Sequence, residues 1–146
     1  MKEALRLRCS SKDMNEQENY MADFMKIFEP LERWGPGSAE DTLRALSLLP
    51  LKPMSILEIG SGKGLSTLIL AQHTEASITA ADNEPVAVAG LKELMEKHGL
   101  SGRVRPVNAD MTELPFENAA FDLIWAEGSA YIMGVENALA GWKRSL

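Results

Sequence analysis

The hydrophobic pattern changes along this chain, from one helical stripe near the start to alternating strands and helices later. Apolar side chains recur at near-helical spacing over Tyr20–Phe28, which predicts an amphipathic helix that ends before Pro30. After the turn-forming cluster that ends in Ser38, a second helix is predicted at Ala39–Leu49, with that serine as its N-cap. Residues 1–50 are therefore predicted to form an N-terminal helical segment.

The rest of the chain alternates short apolar runs, typical of buried strands, with longer segments of helical spacing. The pattern predicts strands at Ser55–Ile59, Ser77–Ala81, Val104–Asn108 and Phe121–Ala126, and helices at Leu65–His73, Pro85–His98 and Val135–Leu146. Repeated strand–helix units imply right-handed crossovers and a parallel sheet with helices on both faces. Residues 51–146 are therefore predicted to form an α/β domain around a doubly wound parallel sheet.

Composition adds that the chain is an ordinary globular protein. Its 146 residues are 45% apolar and 25% charged, a size and balance typical of a single domain. No apolar run reaches ~18 residues, so no transmembrane helix is predicted, and the first residues lack the apolar stretch of a signal peptide. The lone cysteine, Cys9, excludes an internal disulfide; we predict an inert thiol there and a cytoplasmic location.

The net charge of −6 bears on the partners of the protein. Nucleic-acid-binding proteins usually carry a basic patch, whereas the one local basic cluster here, between Lys2 and Lys12, stands beside an acidic stretch. A nucleic-acid substrate is therefore disfavoured, and no membrane partner is predicted. No group of cysteines and histidines has the spacing of metal ligands, so no metal is predicted.

The most informative motif is the segment Glu58-Ile59-Gly60-Ser61-Gly62-Lys63-Gly64. An apolar strand carries an acidic residue near its end and leads through three glycines at alternate positions into a helix. Glycines allow a sharp turn and a close approach of a ligand to the backbone, and a helix N-terminus presents partial positive charge. The motif predicts a site for a nucleotide-type cofactor, with a plain structural turn as the alternative.

The glycine spacing separates two kinds of cofactor. The dinucleotide fingerprint is G-x-G-x-x-G, whereas the third glycine here, Gly64, comes one residue early. The pattern E-x-G-x-G-x-G resembles motif I of the class I S-adenosylmethionine-dependent methyltransferases. The resemblance implies S-adenosylmethionine as cofactor, S-adenosylhomocysteine as product and a Rossmann-like sheet of strand order 3-2-1-4. The implied cofactor-binding residues of the motif are Glu58, Gly60, Ser61, Gly62 and Gly64.

Residues that directly follow the other strands are expected at the same edge of the sheet. Asp82 lies 22 residues beyond Gly60, where a carboxylate accepts hydrogen bonds from ribose hydroxyls. The alternative for Asp82 and Asn83 is a helix N-cap. In register with them, Asp110 and Met111 are expected at the adenine, with the carboxylate accepting from its amine; the alternative is a solvated turn.

The loop after the fourth strand is expected to border both the cofactor and the methyl acceptor. Glu127 is the one candidate for a catalytic base there, and orienting the cofactor is its other functional reading. Tyr131 is a candidate for a pocket wall. Each of the two is equally well explained as a cap or a packing residue.

The resemblance extends from Pro53 to Trp142. The preceding segment resembles, more loosely, the N-terminal lid of small-molecule methyltransferases related to the quinone and sterol enzymes, in which Tyr20 and Trp34 would close over the cofactor. The family sheet has seven strands, so the resemblance also implies a chain truncated after its fourth strand. The exposed edge of that strand predicts pairing with a second copy as a homodimer.

Three functions follow from these residues. The first is methyl transfer from S-adenosylmethionine to a small-molecule acceptor, which the sequence does not identify. The second is a non-catalytic S-adenosylmethionine-binding subunit that regulates or completes a partner. The third, a nicotinamide-dependent dehydrogenase, is disfavoured by the early third glycine and by the absence of a Tyr-x-x-x-Lys pair.

Overall fold

The computed structural model describes residues 11–146, without the side chains of residues 11–15, 17 and 21. The inert thiol predicted at Cys9 lies outside the described residues. The chain falls into two compact units, which divide between Leu31 and Glu32. The lid segment predicted over residues 1–50 crosses this division and stays a prediction.

The first unit contains helix α1, Ser11–Phe28. Aromatic side chains four residues apart stack along it, with ring centroids 6.4 Å apart for Tyr20 and Phe24 and 4.2 Å apart for Phe24 and Phe28. Residues at this spacing are neighbours on a helix surface. Pro30 follows the helix end, as the sequence predicts.

The second unit is built on a four-stranded parallel sheet. Its strands are β1 (Ser55–Ile59), β2 (Ser77–Asp82), β3 (Val104–Asn108) and β4 (Leu123–Trp125). They lie in the order β3-β2-β1-β4, which confirms the predicted fold class and strand order. Ile59 pairs with Ala81, and Asp82 pairs with Asn108. The ends of β1, β2 and β3 are therefore level, and the loops that follow them meet at one edge.

Helices cover both faces of this sheet, and side chains alternate between the two. The helices are α2 (Ala39–Ser47), α3 (Leu65–His73), α4 (Pro85–Lys97) and α5 (Val135–Trp142), with 3₁₀ turns at Ala130–Ile132 and Lys143–Ser145. On one face Ile56 and Ile78 pack with residues of α3 and α4. On the other, Leu57 and Ile59 pack with Trp142 of α5. This alternation is the period of a strand buried on both sides.

Four predicted elements are too long, and hydrogen bonds between residues far apart in the sequence explain two of them. The fourth strand begins at Leu123 rather than Phe121, because the N–H of Phe121 donates to the carbonyl of Ser145 at 3.0 Å, and it ends at Trp125 rather than Ala126. The last helix stops at Trp142 rather than Leu146, because a 3₁₀ turn follows whose Arg144 and Ser145 carbonyls accept from the N–H groups of Ala119 and Phe121 at 2.9 and 3.0 Å. Helix α2 ends two residues early, at Ser47, and α4 ends one residue early, at Lys97.

Two absences concern only the part of the chain that the structure describes. Within residues 11–146, no helix is long and apolar enough to cross a membrane. Over the same residues, no group of three or more histidine, cysteine or carboxylate side chains is placed to hold a metal ion.

Candidate cofactor-binding site

The loop between β1 and α3 turns through three glycines in the left-handed region. Gly60, Gly62 and Gly64 have φ angles of 74°, 54° and 91°. The N–H groups of Gly60 and Ser61 both donate to the carbonyl of Ala81, at 2.8 and 3.1 Å. The loop is therefore folded back onto the end of β2, and left-handed φ values favour glycine at each turn position.

Two of these glycines are also required by close packing. A Cβ atom on Gly60 would lie 2.3 Å from Cβ of Ser129, and one on Gly64 would lie 2.8 Å from Cγ of Leu91. The Ser129 hydroxyl in turn donates to the carbonyl of Ile59 at 2.6 Å. The glycines thus bring β1, the loop after β4 and helix α4 closer together than any side chain would allow.

Asp82 ties the end of β2 to the glycine loop. Its Oδ2 accepts from the N–H of Gly62 at 2.8 Å, and its Oδ1 accepts from the N–H of Glu84 at 3.0 Å. Each carboxylate oxygen has a second lone pair, so both remain able to accept from a ligand hydroxyl. The side chain is partly exposed, which suits the predicted contact with a ribose.

Glu58 lies beneath the loop and is fully buried, with 1% of its surface exposed. Its Oε1 accepts a short hydrogen bond from the Ser66 hydroxyl, and its Oε2 accepts from Thr67 at 2.5 Å. Both hydroxyls belong to the first turn of α3. Burial raises the pKa of the Glu58 carboxyl to about 7, although these hydrogen bonds act in the opposite direction. Glu58 therefore fixes the start of α3 from within the core.

Two features at the start of α3 fit a bound cofactor. Gly64 is the N-cap residue and supplies no side-chain hydrogen bond, so the first N–H groups of the helix are available to polar ligand atoms. The hydroxyl of Ser61 is buried and has no hydrogen-bond partner among the described residues. An unpaired buried hydroxyl is costly, and a polar ligand on the loop would satisfy it.

The remaining predicted contacts differ in their exposure. Asp110 is exposed and accepts from the backbone N–H and hydroxyl of Thr112, at 2.7 and 2.6 Å, which lowers the pKa of its carboxyl. Met111 is partly buried in the core cluster beside α5. Asn83 is exposed. The N-cap of α4 is Glu84 rather than Asp82 or Asn83, so the alternative reading of those two as caps is wrong.

Glu127 follows β4 and its carboxylate is occupied on both oxygens. Oε1 accepts from Arg33 Nη2 at 2.6 Å, and the Thr42 hydroxyl lies 2.9 and 2.8 Å from Oε1 and Oε2. The Trp125 indole N–H donates to Oε2 at 3.2 Å. None of these three partners is predicted from the sequence. Arg33 stands 94 positions from Glu127, and no local pattern in the sequence connects the two. Tyr131, the other candidate of this loop, is 70% exposed.

A groove lies elsewhere in the second unit, between helix α4 and strand β3. Its lining includes Lys92 and Glu96 from the helix and Arg103 and Arg105 from the strand side. The Arg103 guanidinium donates to the carbonyls of Ala71, Thr74 and Ala76 at 2.6 to 3.2 Å. It therefore holds the end of α3 and the start of β2 together.

Comparison with known proteins places this site in a family. Residues 56–146 match the family model described as "Methyltransferase domain". The chain is 31% identical over 105 residues to cycloartenol-C-24-methyltransferase 1 of Oryza sativa subsp. japonica, an alignment that covers 68% of this chain and 30% of that protein. It is 34% identical over 84 residues to the tRNA1(Val) (adenine(37)-N6)-methyltransferase of Haemophilus influenzae, covering 56% of this chain and 36% of that protein.

Solved structures agree on the fold. A methyltransferase from Geobacter sulfurreducens in complex with S-adenosyl-L-homocysteine superposes with a TM-score of 0.72 at 23% identity, covering 84% of this chain and 50% of that chain. The chain therefore belongs to the class I S-adenosylmethionine-dependent methyltransferases, and S-adenosylmethionine is its cofactor. It spans about a third of the length of the curated relatives named above.

Proposed function

We propose that this chain carries the cofactor site of a methyltransferase that acts on a small-molecule acceptor. The observation that carries the proposal is the hydrogen bond between the loops after β1 and β2. The N–H of Gly62 donates to the carboxylate of Asp82 at 2.8 Å, beside the start of α3, which has no side-chain cap. A loop of this shape offers backbone and carboxylate groups to one ligand from two adjacent strands.

Each predicted cofactor residue has a part in this proposal. Gly60, Gly62 and Gly64 give the loop its path, and Asp82 accepts from the ribose. The buried hydroxyl of Ser61 and the start of α3 meet the polar end of the cofactor. Glu58 acts through α3, because both of its oxygens are taken by Ser66 and Thr67. The proposed adenine contacts are Asn83, Asp110 and Met111.

When bound, S-adenosylmethionine supplies an activated methyl group on a positively charged sulfonium. Carboxylates at the strand ends favour a cation electrostatically. The chain has no need to activate the leaving group, so its residues act mainly by placing the two reactants together and excluding water. An acceptor that ionises poorly would also need a base. Glu127 is the residue that the sequence predicts as that base. Because its carboxylate accepts hydrogen bonds from three side chains, we favour a positioning role for it.

A small-molecule acceptor is favoured by the charge of the chain. The net charge is −6, and phosphate backbones are bound by clustered lysine and arginine. The relatives include both kinds of enzyme, since the rice protein is named for a sterol and the H. influenzae protein for a tRNA. A cytoplasmic location stays a prediction from the sequence.

A second candidate function is a non-catalytic cofactor-binding subunit that completes a partner. It is favoured by the position of β4, which forms an edge of the four-stranded sheet that the structure describes. An unpaired edge strand is a template for another chain. The homodimer predicted from the sequence would use the same edge. Light scattering over a wide concentration range tests it, and a strict monomer would argue against it.

The proposed function is tested by titrating S-adenosylhomocysteine and NAD separately into the purified chain. Micromolar binding of S-adenosylhomocysteine without binding of NAD is expected. Binding of NAD alone would refute the proposal. With a methyl-labelled cofactor, transfer to a panel of small molecules and to tRNA then separates the acceptor classes. Cofactor binding with no transfer to any acceptor would favour the partner-subunit alternative.

A further inference from the structure

The loop after β4 and the turn before α2 are joined by an ion pair that is largely buried. Arg33 Nη2 lies 2.6 Å from Glu127 Oε1, and the two side chains are 22% and 19% exposed. Thr42, at 0% exposure, adds its hydroxyl to the same carboxylate. All three residues belong to the second unit, Glu32–Leu146. Ion pairs as buried as this one are screened little by salt and hold their geometry better than surface pairs.

The backbone of the turn is packed closely against the same loop. A Cβ atom on Gly37 would lie 3.1 Å from Glu127 Oε1, and one on Gly128 would lie 2.6 Å from Cδ of Pro36. Gly37 and Gly128 have φ angles of 99° and 72°. The contact between these segments therefore has a glycine on each side, and neither position leaves room for a side chain.

The turn carries Trp34 onto the glycine loop. A Cβ atom on Gly62 would lie 3.5 Å from Cβ of Trp34, which is ordinary van der Waals contact. The ammonium of Lys63 lies 5.6 Å from the centroid of the Trp34 ring, within the range of a cation–π interaction. The indole nitrogen is buried and has no hydrogen-bond partner among the described residues. Trp34 thus lies against the residue that also donates to Asp82.

We infer that the Arg33–Glu127 pair is a positioning device that holds Trp34 against the cofactor loop, and that Glu127 serves this role rather than that of a base. The Glu127 carboxylate already accepts from a guanidinium, a hydroxyl and an indole, which together take three of its about four lone-pair positions and disfavour a role as a base. Arg33 and Glu127 are therefore positioning residues, and their effect reaches the cofactor through Trp34 and Gly62. This inference rests on the proposed function.

The two roles predict different results for substitution of Glu127 by glutamine. A base affects turnover and its pH profile and leaves cofactor affinity unchanged. A positioning residue affects cofactor affinity, and its effect depends on the presence of Arg33 and Trp34. Affinity for S-adenosylhomocysteine is therefore the informative readout, because it needs no acceptor and no knowledge of the reaction.

The test is a thermodynamic cycle measured by calorimetry with S-adenosylhomocysteine on the wild type, R33A, E127Q and R33A/E127Q. Each single variant is expected to bind about tenfold more weakly, and the double variant no more weakly than either. W34A is expected to lose as much affinity for S-adenosylhomocysteine as R33A or E127Q. The double variant R33A/W34A is expected to bind no more weakly than W34A. The exposed pair between Lys92 and Glu96, at 4.0 Å on α4, supplies the control K92A/E96Q, which is expected to bind like the wild type.

A second comparison, between two variants of Thr42, separates loss of one hydroxyl contact from general loss of folding. T42V removes the hydroxyl from a buried residue at nearly constant volume, and T42S keeps the hydroxyl; weaker binding is expected for T42V alone. Unchanged affinity in folded R33A and E127Q, or strictly additive losses in the double variant, would overturn the inference. A wild type that does not bind S-adenosylhomocysteine would instead refute the proposed function, so the two failures are distinguishable.

Discussion

The backbone N–H of Gly62 donates to the carboxylate of Asp82 across 2.8 Å, and this bond joins the glycine loop to the next strand of the sheet. The other oxygen of the same carboxylate accepts a hydrogen bond from the N–H of Glu84, at the start of α4. One side chain therefore ties the loop after β1 to the loop after β2.

Substitution of Asp82 is expected to weaken cofactor binding more than it weakens the fold. D82A removes both acceptors, and we expect binding of S-adenosylhomocysteine to weaken by tenfold or more, about 1.4 kcal/mol. D82N keeps one acceptor and is expected to fall between D82A and the wild type. Calorimetric titration measures all three.

Asp122 provides the matched control. Its carboxylate also accepts two backbone N–H groups, those of Met54 and Ser55 at 2.9 and 3.0 Å, but at the opposite end of the sheet. D122A is expected to lower the thermal midpoint and leave affinity unchanged. Equal losses of affinity in D82A and D122A would mean that Asp82 acts only on the fold.

Gly60 and Gly99 separate the cost of close packing from the cost of backbone strain. Both are left-handed, at φ angles of 74° and 69°, but a Cβ atom on Gly60 would meet Ser129 at 2.3 Å, whereas nothing lies within 4 Å at Gly99. We expect G99A to lower the free energy of unfolding by about 1 kcal/mol and G60A by about 3 kcal/mol or more. Urea denaturation measures both, and equal losses would contradict the packing seen at Gly60.

Glu58 is expected to make stability depend on pH. Burial raises the pKa of its carboxyl from the ordinary 4.5 to about 7, so the folded protein holds a proton there that the unfolded chain releases. The stabilisation that this proton contributes to the free energy of unfolding is fully present below pH 4.5. It is lost as pH rises towards 7, by an amount on the order of 3 kcal/mol. Glu127 and Arg33 also act on this carboxyl, in opposite directions.

The comparison of E58Q with the wild type isolates this effect, since other titrating groups are common to both proteins. The free energy of unfolding of the wild type, relative to that of E58Q, is expected to fall between pH 4.5 and 7. Urea denaturation across that range provides the measurement. Parallel pH profiles for the two proteins would show that Glu58 is ionised at the same pH in both states.

Arg103 is expected to matter for stability and not for the cofactor. Its guanidinium donates to three carbonyls at the junction of α3 and β2, far along the strand from the glycine loop. R103A is expected to lower the free energy of unfolding by about 2 kcal/mol. Affinity for S-adenosylhomocysteine should stay within about twofold of the wild type, well below the effect of one lost hydrogen bond. A large loss of affinity would indicate that the ligand binds in the groove beside β3 rather than on the glycine loop.

Much of the fold was predictable because its pattern is local. The limits of β1, α3 and β3 follow from apolar runs bounded by glycine, proline and polar residues, and they agree with the structure residue by residue. Ser38 is the N-cap of α2, with the N–H of Asp41 donating to its hydroxyl at 3.2 Å. Each of these features is decided by residues within about four positions of one another.

The parts that the sequence did not reveal depend on contacts between distant residues. In the 3₁₀ turn that follows α5, the carbonyls of Arg144 and Ser145 accept from the N–H groups of Ala119 and Phe121, 25 and 24 positions earlier. The partners of Glu127 include Arg33, 94 positions away, and Thr42, 85 positions away. The predicted roles of the site residues themselves stay predictions, since they concern a ligand rather than the fold.

The most direct test of the central claim is a ¹H–¹⁵N NMR titration of the ¹⁵N-labelled chain with S-adenosylhomocysteine. The claim is that the cofactor lies on the glycine loop, so the largest shift changes are expected at the amides of Gly60 to Gly64 and of Asp82 and Asn83. Smaller changes are expected at Asp110 and Met111. No shift changes at millimolar ligand, or changes confined to Lys92, Arg103 and the rest of the groove beside β3, would contradict it.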